Sequence, residues 1–234
     1  MNYNPLVNGE RAPSSGIRLG SILGTTIHVE ISFLILIGLF VILDLDRGLP
    51  IQRALLWIPI LLISVLFHEI GHAALIGLFG FGRSTIVLGG FGGVTINERR
   101  SIPWKEIVIS LAGPGFSLLL AFALTWIFLG IPRLASDPML AALIPLMIWA
   151  NKIWAVFNLV PIYPLDGGQA LQNLLRYVTT DRRAVGASIV TSMVIGALVL
   201  AGALFARSFF LAILAAMLLM QNYQRWRLWR GWTA

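Results

Sequence analysis

Three observations predict an all-α polytopic membrane fold. The 234 residues are 58% hydrophobic and only 12% charged, where ordinary soluble domains carry about 25% charged residues. Six apolar runs follow one another, each close to the roughly 20 residues a helix needs to cross about 30 Å of hydrocarbon. Between the second and third runs the pattern changes to a glycine-rich stretch, GFGRSTIVLGGFGGVTINERR, which reads as a short β-hairpin.

Taken in order, residues 1–26 are polar and rich in Gly, Ser and Pro, and are expected to lie at the surface. They hold no apolar core followed by a small-residue cleavage site, so no removed signal peptide is expected. Ile27–Leu43 is the first expected span. A tight connection through Asp44, Asp46, Arg47, Gly48 and Pro50 leads to the second, about Ala54–Phe79. In the hairpin, Ile86-Val87-Leu88 and Val94-Thr95-Ile96 flank the glycines, the alternation of a strand pair. Lys105–Gly130 is the third span, with AGPGFS (112–117) in its first third. Met139–Val160 is the fourth and ends at Pro161 and Pro164. A partly helical polar stretch follows Asp166, and Ala184–Leu204 and Ser208–Gln221 complete the six. The six-helix core over 27–223 and a Trp/Arg tail over 224–234, of the kind that settles at headgroups, make one membrane-embedded domain of 1–234.

Charge orients this layout. Lys and Arg fall twelve against four in favour of the side holding both termini, with Lys152 inside a span. The excess places both termini in the cytoplasm of a multi-pass cell-membrane protein. The net charge of +7 is absorbed by the same asymmetry. No basic tract with interleaved aromatics points to nucleic acid; the expected partners are the bilayer and a transmembrane protein or peptide. The chain has no cysteine, so disulfides and thiolate metal ligands are excluded.

The chemistry gathers in Leu61–Phe79, LLISVLFHEIGHAALIGLF. Ionisable groups at membrane depth are costly and mark function; here His68, Glu69 and His72 lie within five positions. Residues four apart share a helix face, with Cβ atoms about 5–6 Å from each other, so His68 and His72 can offer two imidazoles to one zinc ion. Glu69 beside them is placed to accept a proton from water. On the six-span layout His68 lies about eleven residues from the cytoplasmic end of its helix, roughly 16 Å deep.

A catalytic zinc takes three protein ligands. Outside the motif the candidates are His28, Glu30 and Asp166. Asp166 follows NLVPIYPL (158–165), whose prolines break the helix ladder, and precedes two glycines. On spacing alone it reads equally as a cytoplasmic turn or as an inward-facing ligand. His28, near the head of the first span, reads either as a gating or transient metal ligand or as an interfacial residue satisfied by water, and Glu30 close by as facing the same polar mouth. The glycine-rich hairpin reads either as a surface connector or as an edge strand. In the second reading Gly89, Gly90, Gly92, Gly93 and Val94 bind an extended substrate through the main chain.

HEIGH in an early span followed by NLVPIYPLDGG in a later one resembles the site-2 protease family of intramembrane zinc metalloproteases, in a compact form without a PDZ or CBS domain. The resemblance runs from about Gly20 to the sixth span. It implies that one zinc ion is held by His68, His72 and Asp166, that Glu69 is the catalytic base, and that Asn158 positions or polarises the substrate. It also implies a membrane-associated β element where the hairpin falls, which favours the edge-strand reading. AGPGFS is similar to the family's Ala-Gly-Pro-x-x-Asn segment, with Ser117 where Asn is commonest. Two other classes fit parts of the pattern: a metal-ion transporter, and an inactive protease relative that binds membrane proteins.

Overall fold

In the computed structural model, which describes residues 16–22, 24–97 and 102–231, the first apolar run divides at Glu30. Ahead of it lie two strands, β1 (Ile17–Ile22) and β2 (Thr25–Val29). After it comes a helix, α1 (Ile31–Asp46), with Glu30 in extended backbone at its N-cap. The run Thr25, Thr26, Ile27, Val29 is β-branched almost throughout, and such side chains suit a pleated, half-buried surface. The described end of the expected surface segment and the head of the expected first span are therefore largely strand, and His28 sits in β2, half-buried.

The chain continues through α2 (Ile51–Ala54), α3 (Trp57–Leu78), β3 (Thr85–Gly89), β4 (Gly92–Ile96) and α4 (Pro103–Gly130). It ends with α5 (Pro132–Ser136), α6 (Pro138–Asn158), α7 (Asp166–Leu175), α8 (Asp181–Phe205) and α9 (Phe209–Gly231). The described residues are mostly helical, with one small sheet. The expected hairpin is present as β3 and β4, and it belongs to a four-stranded sheet of order β1-β2-β3-β4. β1 and β2 are antiparallel; β2 and β3 are parallel, with Ile27 opposite Ile86 and His28 opposite Val87.

Four helical stretches among the described residues are long and apolar enough to cross a membrane: Ile51–Leu78, Pro103–Gly130, Pro138–Asn158 and Asp181–Phe205. These match the expected second to fifth spans. The first and sixth differ. α1 has 16 residues, about 24 Å at 1.5 Å per residue, short of the hydrocarbon thickness. α9 carries Gln221, Asn222, Gln224, Arg225, Arg227 and Arg230 in its second half, which lowers its hydropathy. Residues 1–15, Arg99, Arg100 and Trp232, used above in the surface, charge and tail arguments, lie outside the described residues.

The chain divides into two compact units. One comprises described residues 16–22, 24–97 and 112–156. Its core joins Phe33, Leu36 and Ile37 of α1, Trp57, Ile60, Leu61 and Val65 of α3, Ile27, Ile86 and Leu88 of the sheet, and Met147 and Ala150 of α6. The buried Asp44 at the end of α1 accepts the indole N–H of Trp57 at 2.9 Å. Helices α3 and α4 approach closely in this unit: a Cβ on Gly71 would stand 2.7 Å from the Ala112 carbonyl. Small residues permit this kind of approach between apolar helices.

The other unit comprises 102–111 and 157–231. There α8 and α9 pack through small residues, with Gly186 against the Trp229 ring and Gly196 against Leu219. Between α7 and α8, Arg176 donates to Asp181 at 2.9 Å, and that bond holds its guanidinium above the ordinary arginine value.

Candidate metal and catalytic centre

In the first unit the site is built on α3. His68, Glu69 and His72 are all buried, at 2%, 3% and 7% exposure, inside an otherwise apolar helix. The two imidazole rings lie 5.0 Å apart, centroid to centroid, and are inclined by 74°. Their Nε2 atoms converge on one place, the bare Cα of Gly113 on α4. A Cβ there would stand 2.6 Å from His68 Nε2 and would meet His72 Nε2 as well. Ser117, one helical turn further on and fully buried, bonds His68 Nδ1 at 3.0 Å. A side-chain partner on one ring nitrogen fixes the imidazole and leaves the other nitrogen for a metal, the arrangement usual around ligating histidines.

Two imidazole nitrogens aimed at one point, one ring fixed from behind, suit a tetrahedral ion that takes N and O donors. The donors in this unit thus fit zinc. The sequence singled out Ser117 only weakly and did not mark Gly113. Both lie in AGPGFS, and what makes them legible is the α3–α4 pairing.

Glu69 faces the sheet. The Thr95 hydroxyl of β4 donates to Glu69 Oε2 at 2.7 Å and lies 3.2 Å from the Glu69 carbonyl oxygen. Gly93, on the same face of β4, leaves room for the Glu69 side chain, whose Oε1 would be 2.6 Å from a Cβ there. Gly92 has φ +113°, and a Cβ on it would enter the Trp154 ring; only glycine fits both conditions. Trp154 in turn stands edge-on to His68 at 6.5 Å. Gly90 donates its amide to Ser32 Oγ at 3.0 Å, and Ser32 donates to Glu30 Oε2 at 3.0 Å. Gly90 and Glu30 are therefore joined to Ser32 at the start of α1, and a Cβ on Gly89 would stand 3.3 Å from Glu30 Oε2. Val94 is half-buried in β4, opposite Val87.

Asn158 and Asp166 belong to the other unit. Asn158 is the last residue of α6, half-buried, and Asp166 is the buried first residue of α7. The DGG sequence has a local reason. A Cβ on Gly167 would strike the Leu159 carbonyl, and one on Gly168 would strike the Tyr163 amide, so the first turn of α7 folds back onto the 159–163 segment. That segment is held from α8 and α9. The Tyr163 amide donates to Ser192 Oγ at 2.9 Å, Asn222 Nδ2 donates to the Tyr163 carbonyl at 2.5 Å, and the Arg225 guanidinium lies 3.7 Å above the Tyr163 ring. Gln169 closes the turn by donating to the Pro164 carbonyl at 2.9 Å. The Tyr163–Pro164 peptide is cis.

The chain is thus largely helical, with four helical stretches long and apolar enough to cross a membrane and a buried, zinc-compatible histidine pair beside a carboxylate. Comparison with known proteins gives the family. Residues 33–165 match the Peptidase M50B-like family model and 133–202 the Peptidase family M50 model. The chain belongs to peptidase family M50. A relative from Synechocystis sp. is 32% identical over 184 residues, covering 74% of this chain and 48% of its own. A zinc metalloprotease of Methanocaldococcus jannaschii is 32% identical over 162 residues, covering 68% and 45%. The chain thus spans about half the length of the curated relatives it matches. Among solved structures, a site-2 protease from Methanocaldococcus jannaschii superposes with a TM-score of 0.65 at 25% identity, over 90% of this chain and 94% of that one.

Proposed function

We propose that the protein is an intramembrane zinc metalloprotease that hydrolyses peptide bonds within or near transmembrane segments of other proteins. The observation that carries this reading is the convergence of two buried imidazole Nε2 atoms on Gly113, next to a buried carboxylate on the same apolar helix. His68, His72 and, from the NLVPIYPLDGG segment, Asp166 would hold the zinc, two nitrogens and one oxygen as catalytic sites use. Bound zinc supplies Lewis acidity to an attacking water and to the peptide carbonyl. Glu69 takes the proton of that water on its carboxylate and returns it to the departing amide nitrogen as the C–N bond breaks. Asn158 donates its side-chain amide to the developing oxyanion.

The substrate segment must be extended before attack, because helical amides are bonded internally. β4 is at one edge of the sheet, which supports main-chain pairing with an extended peptide along Gly89, Gly90, Gly92, Gly93 and Val94. On this reading α1 and α9 complete six membrane-associated helices with both termini cytoplasmic, as the Lys and Arg asymmetry favours.

The test is Glu69→Gln in the purified chain. It keeps the metal ligands, so the variant retains zinc and loses cleavage of a single-span peptide. Cleavage at the unsubstituted rate by the zinc-loaded variant refutes the assignment. Natural substrates are then sought by isolating what remains bound to Glu69→Gln and identifying it by mass spectrometry.

A further inference from the structure

Gly93 and Thr95 are two residues apart in β4, so their side-chain positions face the same way. That face lies on the turn of α3 that carries Glu69. The Thr95 hydroxyl donates to Glu69 Oε2 at 2.7 Å and lies 3.2 Å from the Glu69 carbonyl oxygen, reaching side chain and backbone of one residue. A Cβ on Gly93 would stand 2.7 Å from the Glu69 carboxyl carbon and closer to its Cγ. One position supplies a donor and the other supplies vacancy.

We infer that Gly93 and Thr95 form a seat for Glu69 and that Thr95 is a positioning residue for the general base. The inference rests on the reading of Glu69 as that base. Glutamate has three rotatable side-chain bonds, yet a base works only within about 2.6–3.2 Å of the proton it takes. Thr95 holds Oε2, and the bare Gly93 leaves room at Oε1, the oxygen left to receive the proton. Gly93, assigned above to main-chain contact with substrate, therefore acts on the catalytic carboxylate as well. Because seat and substrate-pairing edge are one strand, a peptide laid on β4 is referenced to the same backbone that aims the base.

The experiment compares Thr95→Val and Thr95→Ser in the 234-residue chain. Turnover of a fluorophore–quencher single-span peptide in detergent micelles is measured alongside zinc content by mass spectrometry. Val matches Thr in shape and is the better strand residue, whereas Ser keeps the hydroxyl and is the poorer one. A seat ranks Thr and Ser together and Val far below; a purely structural strand role ranks Val at least equal to Thr, and Ser last. A misplacement of about 1 Å costs on the order of 100-fold in rate. Thr95→Val should therefore lower kcat by about 10–100-fold with KM within about 2-fold and zinc unchanged, and Thr95→Ser should return kcat to within about 3-fold. An unaltered kcat in Thr95→Val, or equal losses in both variants, overturns the inference. Glu69→Gln run in parallel separates the failures. If it is inactive while Thr95→Val is fully active, only the seat is wrong; if it is active, the base assignment falls and the seat with it.

Discussion

Gly113→Ala adds a single methyl group at the point where two imidazoles meet. The built Cβ stands 2.6 Å from His68 Nε2 and contacts His72 Nε2 too, where relaxed nonbonded atoms stay about 3.5 Å apart. Each ring must retreat by roughly 1 Å. Zinc–ligand distances tolerate about ±0.2 Å, so the shift is several times the tolerance for both nitrogens together. Disturbing one outer partner of a ligand already costs about 10–100-fold in metal affinity; moving two ligands should cost at least the upper end, about 2.7 kcal/mol. Helix propensity argues the other way, since Ala is favoured over Gly by about 0.8–1.0 kcal/mol inside a helix. A loss of metal therefore cannot be ascribed to helix breaking. The assay is zinc per chain after dialysis against a graded series of chelator concentrations. Gly115→Ala is the control, because a Cβ there meets nothing within 4 Å. Gly113→Ala with the same zinc content and chelator resistance as the unsubstituted protein would refute the convergence argument.

Two further outcomes follow from the same geometry. Ser117→Ala removes the partner of His68 Nδ1 and should weaken zinc by about 10-fold, read in the same chelator series, whereas Ser117→Asn, a longer side chain with its own donor and acceptor, should recover part of that loss. Asn222→Leu strips the Tyr163 carbonyl of its donor at a buried position. It should cost about 1–3 kcal/mol in thermal or denaturant unfolding, and, if Asp166 is a ligand, it should lower zinc affinity with no substitution in HEIGH.

The parts legible in the sequence are those whose meaning is local. HEIGH declares a helix face by its spacing alone, and Gly89–Gly93 between the apolar Ile86–Leu88 and the β-branched Val94–Ile96 declares a turn. The strands ahead of Glu30 were hidden for two reasons. Ile27 and Val29 merge into the apolar run of α1, and the register of β1 against β2 shifts between Arg18 and Gly20, which breaks the two-residue alternation. α1 and α9 read as spans because apolar content was visible, while the length of one and the polar second half of the other decide their standing. Gly113 and Thr95 carry no signal of their own, and Ser117 only the faint one of its place in AGPGFS. Each matters only because of what another element brings against it: α3 laid on AGPGFS, or β4 laid on the Glu69 turn. Asn222 and Ser192 are polar residues in apolar helices, a cost that can be seen in the sequence, but their shared target, Tyr163, appears only in three dimensions.

The parallel pairing of β2 with β3 has a consequence for how the molecule is made. Parallel neighbours cannot be joined by a tight turn; here Thr26 and Thr85, 59 positions apart, bond side chain to side chain, and the chain between them is α1, α2 and the motif helix. During synthesis β2, paired on one side with β1, must wait for its β3 neighbour until that whole crossover has been delivered. β4, which carries Thr95, joins after β3. The histidines are thus made before the strand that supports their neighbouring glutamate, and the Ser117 partner of His68 follows later still, on α4. The turn of α3 that carries Glu69 is, by this order of synthesis, without its strand support until β4 has followed β3.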